Sequence, residues 1–182
     1  MSWKSIGLNE WSYVLHPRPV VLVVSEFEGK VNAMAASWTM PISRSPPYVA
    51  VAISKRRLTY ELIVKSKKFS INILPRKYLD SIHFLGSVSG RDVPDKIKKA
   101  KLTYERGRRL RIPIISESFV VAECTLWKDI EAGDHNIIVG RIEDIYAKPD
   151  YEFFRSEVIK EIPLHVGRNK YTYCVSEIIT IE

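Results

Sequence analysis

The plainest pattern in this chain is a series of short apolar runs, mostly too brief for helices, broken by Pro, Gly and charged clusters. Val20 to Val24 is apolar and mostly β-branched behind Pro17 and Pro19, the composition of a buried strand. Glu28-Gly29-Lys30 supplies a turn and Val31 to Met40 returns, which predicts a hairpin. Tyr48 to Ile53 is too apolar to face water on either side and reads as a third strand. Phe69, Ile71 and Ile73 alternate with Ser70 and Asn72, so a strand with one polar face is expected. Phe119 to Ile130 and Asn136 to Ile145 predict two more strands, joined by Glu131-Ala132-Gly133-Asp134, with the Asp134 side chain bonding backbone N–H groups beyond it. Cys174 to Ile181 reads as a closing strand.

Helical periodicity is confined to brief stretches. Leu58, Leu62 and Ile63 share one face of Leu58 to Val64. Tyr78 to Leu85 is a predicted helix stopped by Gly86, and Asp95 to Ala100 a short basic helix after Pro94. Gly90, Arg91 and Asp92 between them mark an ordered excursion or lid. No repeat, low-complexity tract or linker divides the 182 residues, so residues 1–182 are read as one domain. Many short strands with a few helices predict a mainly β fold, a closed or partly closed barrel with few open edges.

Composition narrows the function classes. The net charge is +7, and Lys96 to Arg111 concentrates eight cations with one acid, Glu105. Such a run suits nucleic acid or small anions, but Tyr104 is its only aromatic residue and no nucleic-acid module is visible, which argues against nucleic acid. The run is expected to lie outside any ligand site. Cys124 and Cys174 belong to no CxxC pair; they read as buried thiols, and no metal is expected. Glutamine is absent and asparagine scarce, a thermophile-like usage. No signal peptide pattern is visible and Pro19 to Val24 is far too short to span a bilayer, so a cytoplasmic protein without membrane contact is expected.

The candidate chemistry sits in Val31 to Ile63. Asn32, Ala33, Met34, Ala35, Ala36, Ser37 and Trp38 set three alanines and a serine together, where a flat ligand could approach the backbone. Ser54, Lys55, Arg56, Arg57 and Thr59 place hydroxyls and cations at a strand-to-helix junction, where free N–H groups and the helix dipole favour a phosphate. Tight packing explains the first cluster alone and a solvated surface the second alone. A flat ring at one end and a phosphate at the other together describe FMN. Of the histidines, His16 lies beside prolines and receives no role, while His83 falls in a helical pattern and reads as a surface or packing residue.

Four stretches carry a family likeness: HPRPVVLVVS (His16–Ser25), NAMAASWTMPISRSPPYVAVAI (Asn32–Ile53), Thr59 with FSINIL (Phe69–Leu74), and AECTLWKDIEAGDHNIIVGRI (Ala122–Ile142) with PLHVGRNKY (Pro163–Tyr171). Their order and spacing, over about residues 14–172, resemble the flavin reductase-like FMN-binding proteins of the split β-barrel, and most of all the branch with flavoredoxins and archaeal ferric reductases. The resemblance implies a homodimer holding FMN, reduced by NADH or NADPH. It puts the ring edge along Asn32–Trp38, and the phosphate near Ser54, Arg57 and Thr59, with Arg56 as alternate cation. It puts the nicotinamide side at His135, His165 and Tyr171, with no acid or base role, and Arg168 close by. The chain lacks GxGxxG, as the family does, which lays the dinucleotide over the exposed flavin face. Electrons would pass to free flavin, ferric chelates or a partner protein. The alternatives are an FMN-binding electron carrier without turnover and, last, a basic nucleic-acid-binding domain.

Overall fold

A computed structural model describes residues 3–152 and 155–174. In chain order the first strands are β1 Arg18–Pro19, β2 Val21–Phe27, β3 Lys30–Ala36, β4 Thr39–Arg44 and β5 Pro47–Ile53. Helix α1 Leu58–Ser66, β6 Lys68–Ile73, α2 Leu79–Ser87 and α3 Lys96–Lys99 follow. The remainder is β7 Tyr104–Arg106, β8 Pro113–Ile115, β9 Val120–Ala132, β10 His135–Ala147, α4 Ser156–Ile159, β11 Leu164–Gly167 and β12 Lys170–Thr172. Seven strands make one antiparallel sheet in the order β3-β2-β6-β9-β10-β5-β4, and β1-β11-β12 and β7-β8 form two small ones.

The two edge strands of the large sheet, β3 and β4, are consecutive in the chain, joined only by Ser37 and Trp38. The sheet therefore coils until its edges meet at that joint, yet β3 and β4 do not pair, so the barrel is split rather than closed. Pro41 helps keep the β4 edge open, because it has no N–H to offer a neighbour and sits where the β4–β5 register slips. The expected single strand Val31 to Met40 is accordingly two strands, broken at Ser37–Trp38.

Two cores flank β2. Val21 and Val23 join Val51, Ile53, Phe69, Cys124 and Ile138 inside the coil. Val20, Leu22 and Val24 face the other way, against Ala33, Ile82, Leu85, Ile97 and Leu102 beneath α2 and α3. A strand buried on both faces has no reason to alternate, and Val20 to Val24 does not. The polar face predicted for β6 is also buried. Ser70 Oγ donates to the Pro113 carbonyl, and Asn72 takes the Ile115 N–H, so this face anchors β8 rather than meeting water.

Three further expectations change. Helix α2 runs through Gly86 to Ser87. Gly86 lies so close to Ala35 that an added Cβ would stand 3.2 Å from the alanine methyl, so the glycine lets helix and strand approach rather than ending the helix. Asp134 bonds the His135 ring, at 2.8 Å, in a two-residue turn. Cys124 is buried as expected but Cys174 is half-exposed. The strand expected from Cys174 to Ile181 lies, beyond Cys174, outside the described residues. Among the described residues no helix is long and apolar enough to cross a membrane, and no cluster of His, Cys, Asp and Glu could hold a metal ion.

Candidate flavin site

A groove follows the open edge of β3. At one end it is lined by Asn32, Met34, Arg57, Thr59, Gly90 and Lys96, and at the other by Ala35, Ala36, Ser37, His83, His165 and Tyr171, with Gly86 shared by both. The predicted ring-edge strand and part of the predicted phosphate cluster thus form one continuous wall. From Asn32 to Ser37 a strand advances about 17 Å, the scale of an extended mononucleotide.

At the Arg57 end, α1 starts after its N-cap Arg57 with no side-chain cap, leaving its first-turn N–H groups available to a ligand. Thr59 is fully buried and its Oγ1 accepts a 2.7 Å hydrogen bond from Asn32 Nδ2. That bond orients the hydroxyl and leaves its O–H free to donate. Asn32 thereby lies beside Thr59 at the Arg57 end of the β3 edge. The cation cluster divides. Lys55 pairs with Glu131 at 2.8 Å, and of the three cations Arg57 alone lines the groove. Ser54 is buried behind this end, and its carbonyl receives the Arg57 N–H.

Lys96, expected outside the site with the rest of the basic run, is in its wall. It is 5 % exposed, and its Nζ donates to the carbonyls of Ala33 at 3.0 Å and Leu85 at 2.7 Å. Because Ala33 turns its carbonyl off the sheet edge, Ala35, two residues on, turns its own N–H and carbonyl the same way. The Ala35 amide is therefore the ring-edge donor the strand offers. The loop after α2 is fastened to α1 by Arg91, which donates to Glu61 at 2.8 Å; Lys65 and then Arg91 hold the Glu61 carboxyl down at about 2.

At the other end, Ser37 Oγ lies 3.4 Å from His165 Nδ1, and His165 Nε2 is 2.9 Å from the Arg168 carbonyl. The His165 ring meets Tyr171 at 5.3 Å and His16 at 5.1 Å. The Tyr171 hydroxyl is 3.1 Å from His83 Nδ1, and burial raises its pKa, so it remains an O–H donor at neutral pH. His135 is elsewhere: its ring packs on Trp38 at 5.0 Å, and Trp38 also meets Arg18 and Trp11. His165 and Tyr171 are brought together; His135 is set apart from them beyond Trp38. His16 and His83, given no ligand role from the sequence, belong to the cluster. The signal for His83 was its spacing from Gly86 and Ser87, which puts the three on one helical stripe.

The donors fit FMN: cations, a buried hydroxyl and free helix N–H groups at one end, and small residues with an edge amide at the other. Residues 13–172 match the model of the flavin reductase like domain. The chain belongs to the flavin reductase-like family. A protein of Aeropyrum pernix is 40% identical over 148 residues, 81% of this chain and 56% of its own length, so the chain spans little more than half of that relative. An NADH-dependent flavin reductase of Rhodococcus is 30% identical over 122 residues, covering 66% of this chain and 64% of that one. An FMN-binding protein from Thermus thermophilus, with p-hydroxybenzaldehyde bound, superposes with a TM-score of 0.88 at 26% identity, over 100% of this chain and 99% of that one. The same protein with 1-cyclohex-2-enone gives 0.86.

Proposed function

We propose that this flavin reductase-like protein binds FMN along β3 and uses NADH or NADPH to reduce bound or free flavin, passing electrons to flavin, a ferric chelate or a partner protein. Two adjoining pockets along β3, one lined by Arg57 and Thr59 and the other by His165 and Tyr171, carry the reading, and the NADH-dependent Rhodococcus relative supports the nicotinamide. Bound FMN would supply the hydride-accepting ring. The protein's part is to hold both rings stacked and dry. Arg57, Thr59 and the α1 N–H groups would hold the phosphate, the Ala35 amide would face the ring edge, and His165, Tyr171 and Arg168 would meet the nicotinamide. The test is to bring the purified protein to its flavin spectrum and add NADH and NADPH separately without oxygen. Bleaching by either is expected; a flavin that stays oxidised with both leaves the electron-carrier alternative.

If His165 touches the nicotinamide, His165→Ala raises KM or slows flavin reduction while FMN stays bound and Tm holds. If it only ties β11 to Ser37, stability falls and the folded fraction keeps normal kinetics. Stopped-flow reduction beside thermal melts separates the two. The exposed remainder of the basic run would speed encounter with anionic substrates, an effect that should fade as salt is raised towards 0.5 M. An unchanged second-order rate constant across that range argues against it.

We further propose a cytoplasmic homodimer. Met40, Ile42, Trp127, Ile130 and Ile145 are exposed on the β4-β5-β10-β9 half of the sheet, and Trp11 and Leu8 on the N-terminal segment, apolar side chains that a partner subunit would cover. Light scattering at micromolar concentration should give twice the chain mass; a strict monomer refutes it.

A second reading rests on the Thermus complexes, whose ligands are small carbonyl compounds. The Tyr171 hydroxyl, backed by His83, is a protonated donor suited to a carbonyl oxygen at the same end of the groove. Turnover of cyclohexenone with NAD(P)H, lost in Tyr171→Phe with FMN still bound, would support it. No product above the enzyme-free control excludes it.

A further inference from the structure

A small pocket opens where the loop between β7 and β8 meets the end of β10. Its floor is apolar, with Ile114, Ile115 and Val121 buried in it and Phe119 beside them. Two cations line it, Arg108 from the loop and Lys148 just past β10. It shares no residue with the pockets along β3. The loop is set by its backbone, because the N–H groups of Arg109 and Leu110 bond the buried Glu123 carboxylate, which also holds the Tyr146 hydroxyl. This carries the Arg108 guanidinium over the Tyr146 ring, 4.3 Å from its centre. Such a contact uses the face of the guanidinium and leaves its N–H edge unspent.

Three observations point to a ligand. Among the described residues the Arg108 and Lys148 side chains make no ion pair and no hydrogen bond. The Ser118 hydroxyl, 4 % exposed and in the pocket wall, reaches only Asn72 Oδ1 at 3.5 Å, an oxygen that already takes the Ile115 N–H at 2.8 Å. That is too long for a good O–H···O bond, so a buried donor lacks a proper partner. The acids at hand do not supply the missing charge. Glu117, between Ser116 and Ser118 in the chain, is spent on the N–H and hydroxyl of Thr103. Glu105, cross-strand from Ile114, is the one acid lining the pocket, and it pairs with neither cation.

Size and charge narrow the ligand. The cavity holds about 180 Å³, the room of roughly six waters, and is smaller than the roughly 300–1,000 Å³ pockets that take drug-sized molecules. A nucleotide is therefore too large. Arg108 and Lys148 against Glu105 leave one unmatched positive charge, which suits a monoanion better than a dianion. We propose that this pocket binds a small monocarboxylate with an apolar body, at a site separate from the flavin. Arg108 receives the carboxylate on its paired N–H groups, Ser118 donates its hydroxyl, and Lys148 adds a second charge from the rim. The apolar body rests on Ile114, Ile115 and Phe119. A ligand held this way binds the folded chain alone, so it also raises Tm.

The experiment titrates the full chain, with FMN present to fill the β3 groove, with benzoate, its neutral isostere benzamide, and inorganic phosphate. Amide NMR spectra are followed for the parent, Arg108→Gln and Lys148→Gln. The expected result is a saturable benzoate shift at the amides of Arg108, Ser116, Ser118 and Lys148, at least tenfold tighter than for benzamide or phosphate. Arg108→Gln weakens benzoate tenfold or more and Lys148→Gln several-fold, while FMN affinity is unchanged in both because neither residue lines the β3 pockets. Arg108→Gln keeps the backbone bonds to Glu123 and should fold; if it does not, Lys148→Gln decides. The absence of a saturable shift, or benzamide bound as well as benzoate, overturns the proposal. So does parent-like benzoate affinity in the folded variants, or a shift confined to Ala35, Ser37 and their neighbours on β3. Phosphate bound more tightly than benzoate overturns the monocarboxylate.

Discussion

Arg57→Ala is expected to weaken FMN binding tenfold to a hundredfold while riboflavin binds nearly as before. The guanidinium is the one member of the Lys55-Arg56-Arg57 triplet that lines the groove, and Lys55 is drawn to Glu131. A charge-assisted hydrogen bond contributes about 1.5–3 kcal/mol, and each 1.4 kcal/mol is about a factor of ten. Arg56→Ala should therefore change little, and the pair of variants separates a specific contact from general positive charge. Thr59 needs a gentler probe. Its hydroxyl also accepts from Asn32, so Thr59→Ala would leave a buried amide unpaired at a cost of about 1–3 kcal/mol and blur binding with stability. Thr59→Ser keeps the hydroxyl and should keep FMN affinity within a fewfold. Fluorescence titration with both flavins is the measurement, and parent-like FMN affinity in Arg57→Ala would remove the phosphate from this end of the groove.

What could be read from the sequence was what neighbours in the chain decide. β2, β5 and β6 followed from apolar composition and turn residues, and the Arg57–Thr59 junction from a strand running directly into a helix. The breaks came where distant segments decide. Val31 to Met40 has nothing in its composition to stop a strand at Ser37; the stop is made by the coiling of the sheet, which brings both edges to one joint. Ser70 and Asn72 showed only as a polar face, because a period of two says that two faces differ and not what covers them, and β8, more than forty residues on, covers the second. Lys96 looked like surface because four of six residues from Lys96 to Lys101 are lysines. Only its i, i+4 relation to the buried Ala100 hinted that it points inward. Asn32 bonds Thr59 across 27 positions, and His83 meets Tyr171 across 88. Contacts of that reach leave no local pattern, so the groove's two ends were found while most of what holds them was not.

Glu123→Ala is expected to destabilise the fold by about 3–5 kcal/mol, the cost of removing a buried charged partner and stranding the groups it served. Glu123 is fully buried in β9, where its neighbours in sequence are apolar. Its carboxylate accepts the backbone N–H groups of Arg109 at 3.1 Å and Leu110 at 2.6 Å, and the Tyr146 hydroxyl at 3.0 Å. Burial and the carboxylate raise the Tyr146 pKa, so that hydroxyl stays protonated and goes on donating. The loop between β7 and β8 carries Arg108, Arg109 and Arg111 and gathers its backbone on this one acceptor. Gly107 has no room for a side chain, because a Cβ there would overlap the carboxylate. Alanine removes the acceptor from two N–H groups and one hydroxyl at once. Glutamine keeps the volume and one oxygen, but turns an amide NH₂ towards N–H donors, and should cost less. For a chain of 182 residues Glu123→Ala should lower Tm by roughly 6–20 °C. None of the loop residues 107–112 lines the pockets along β3, so FMN affinity measured below the melt should be unchanged. A Tm within 2 °C of the parent would mean that water replaces the carboxylate without loss, and that the arginine loop is held by Arg106 on Glu26 and by Arg108 on the Tyr146 ring instead.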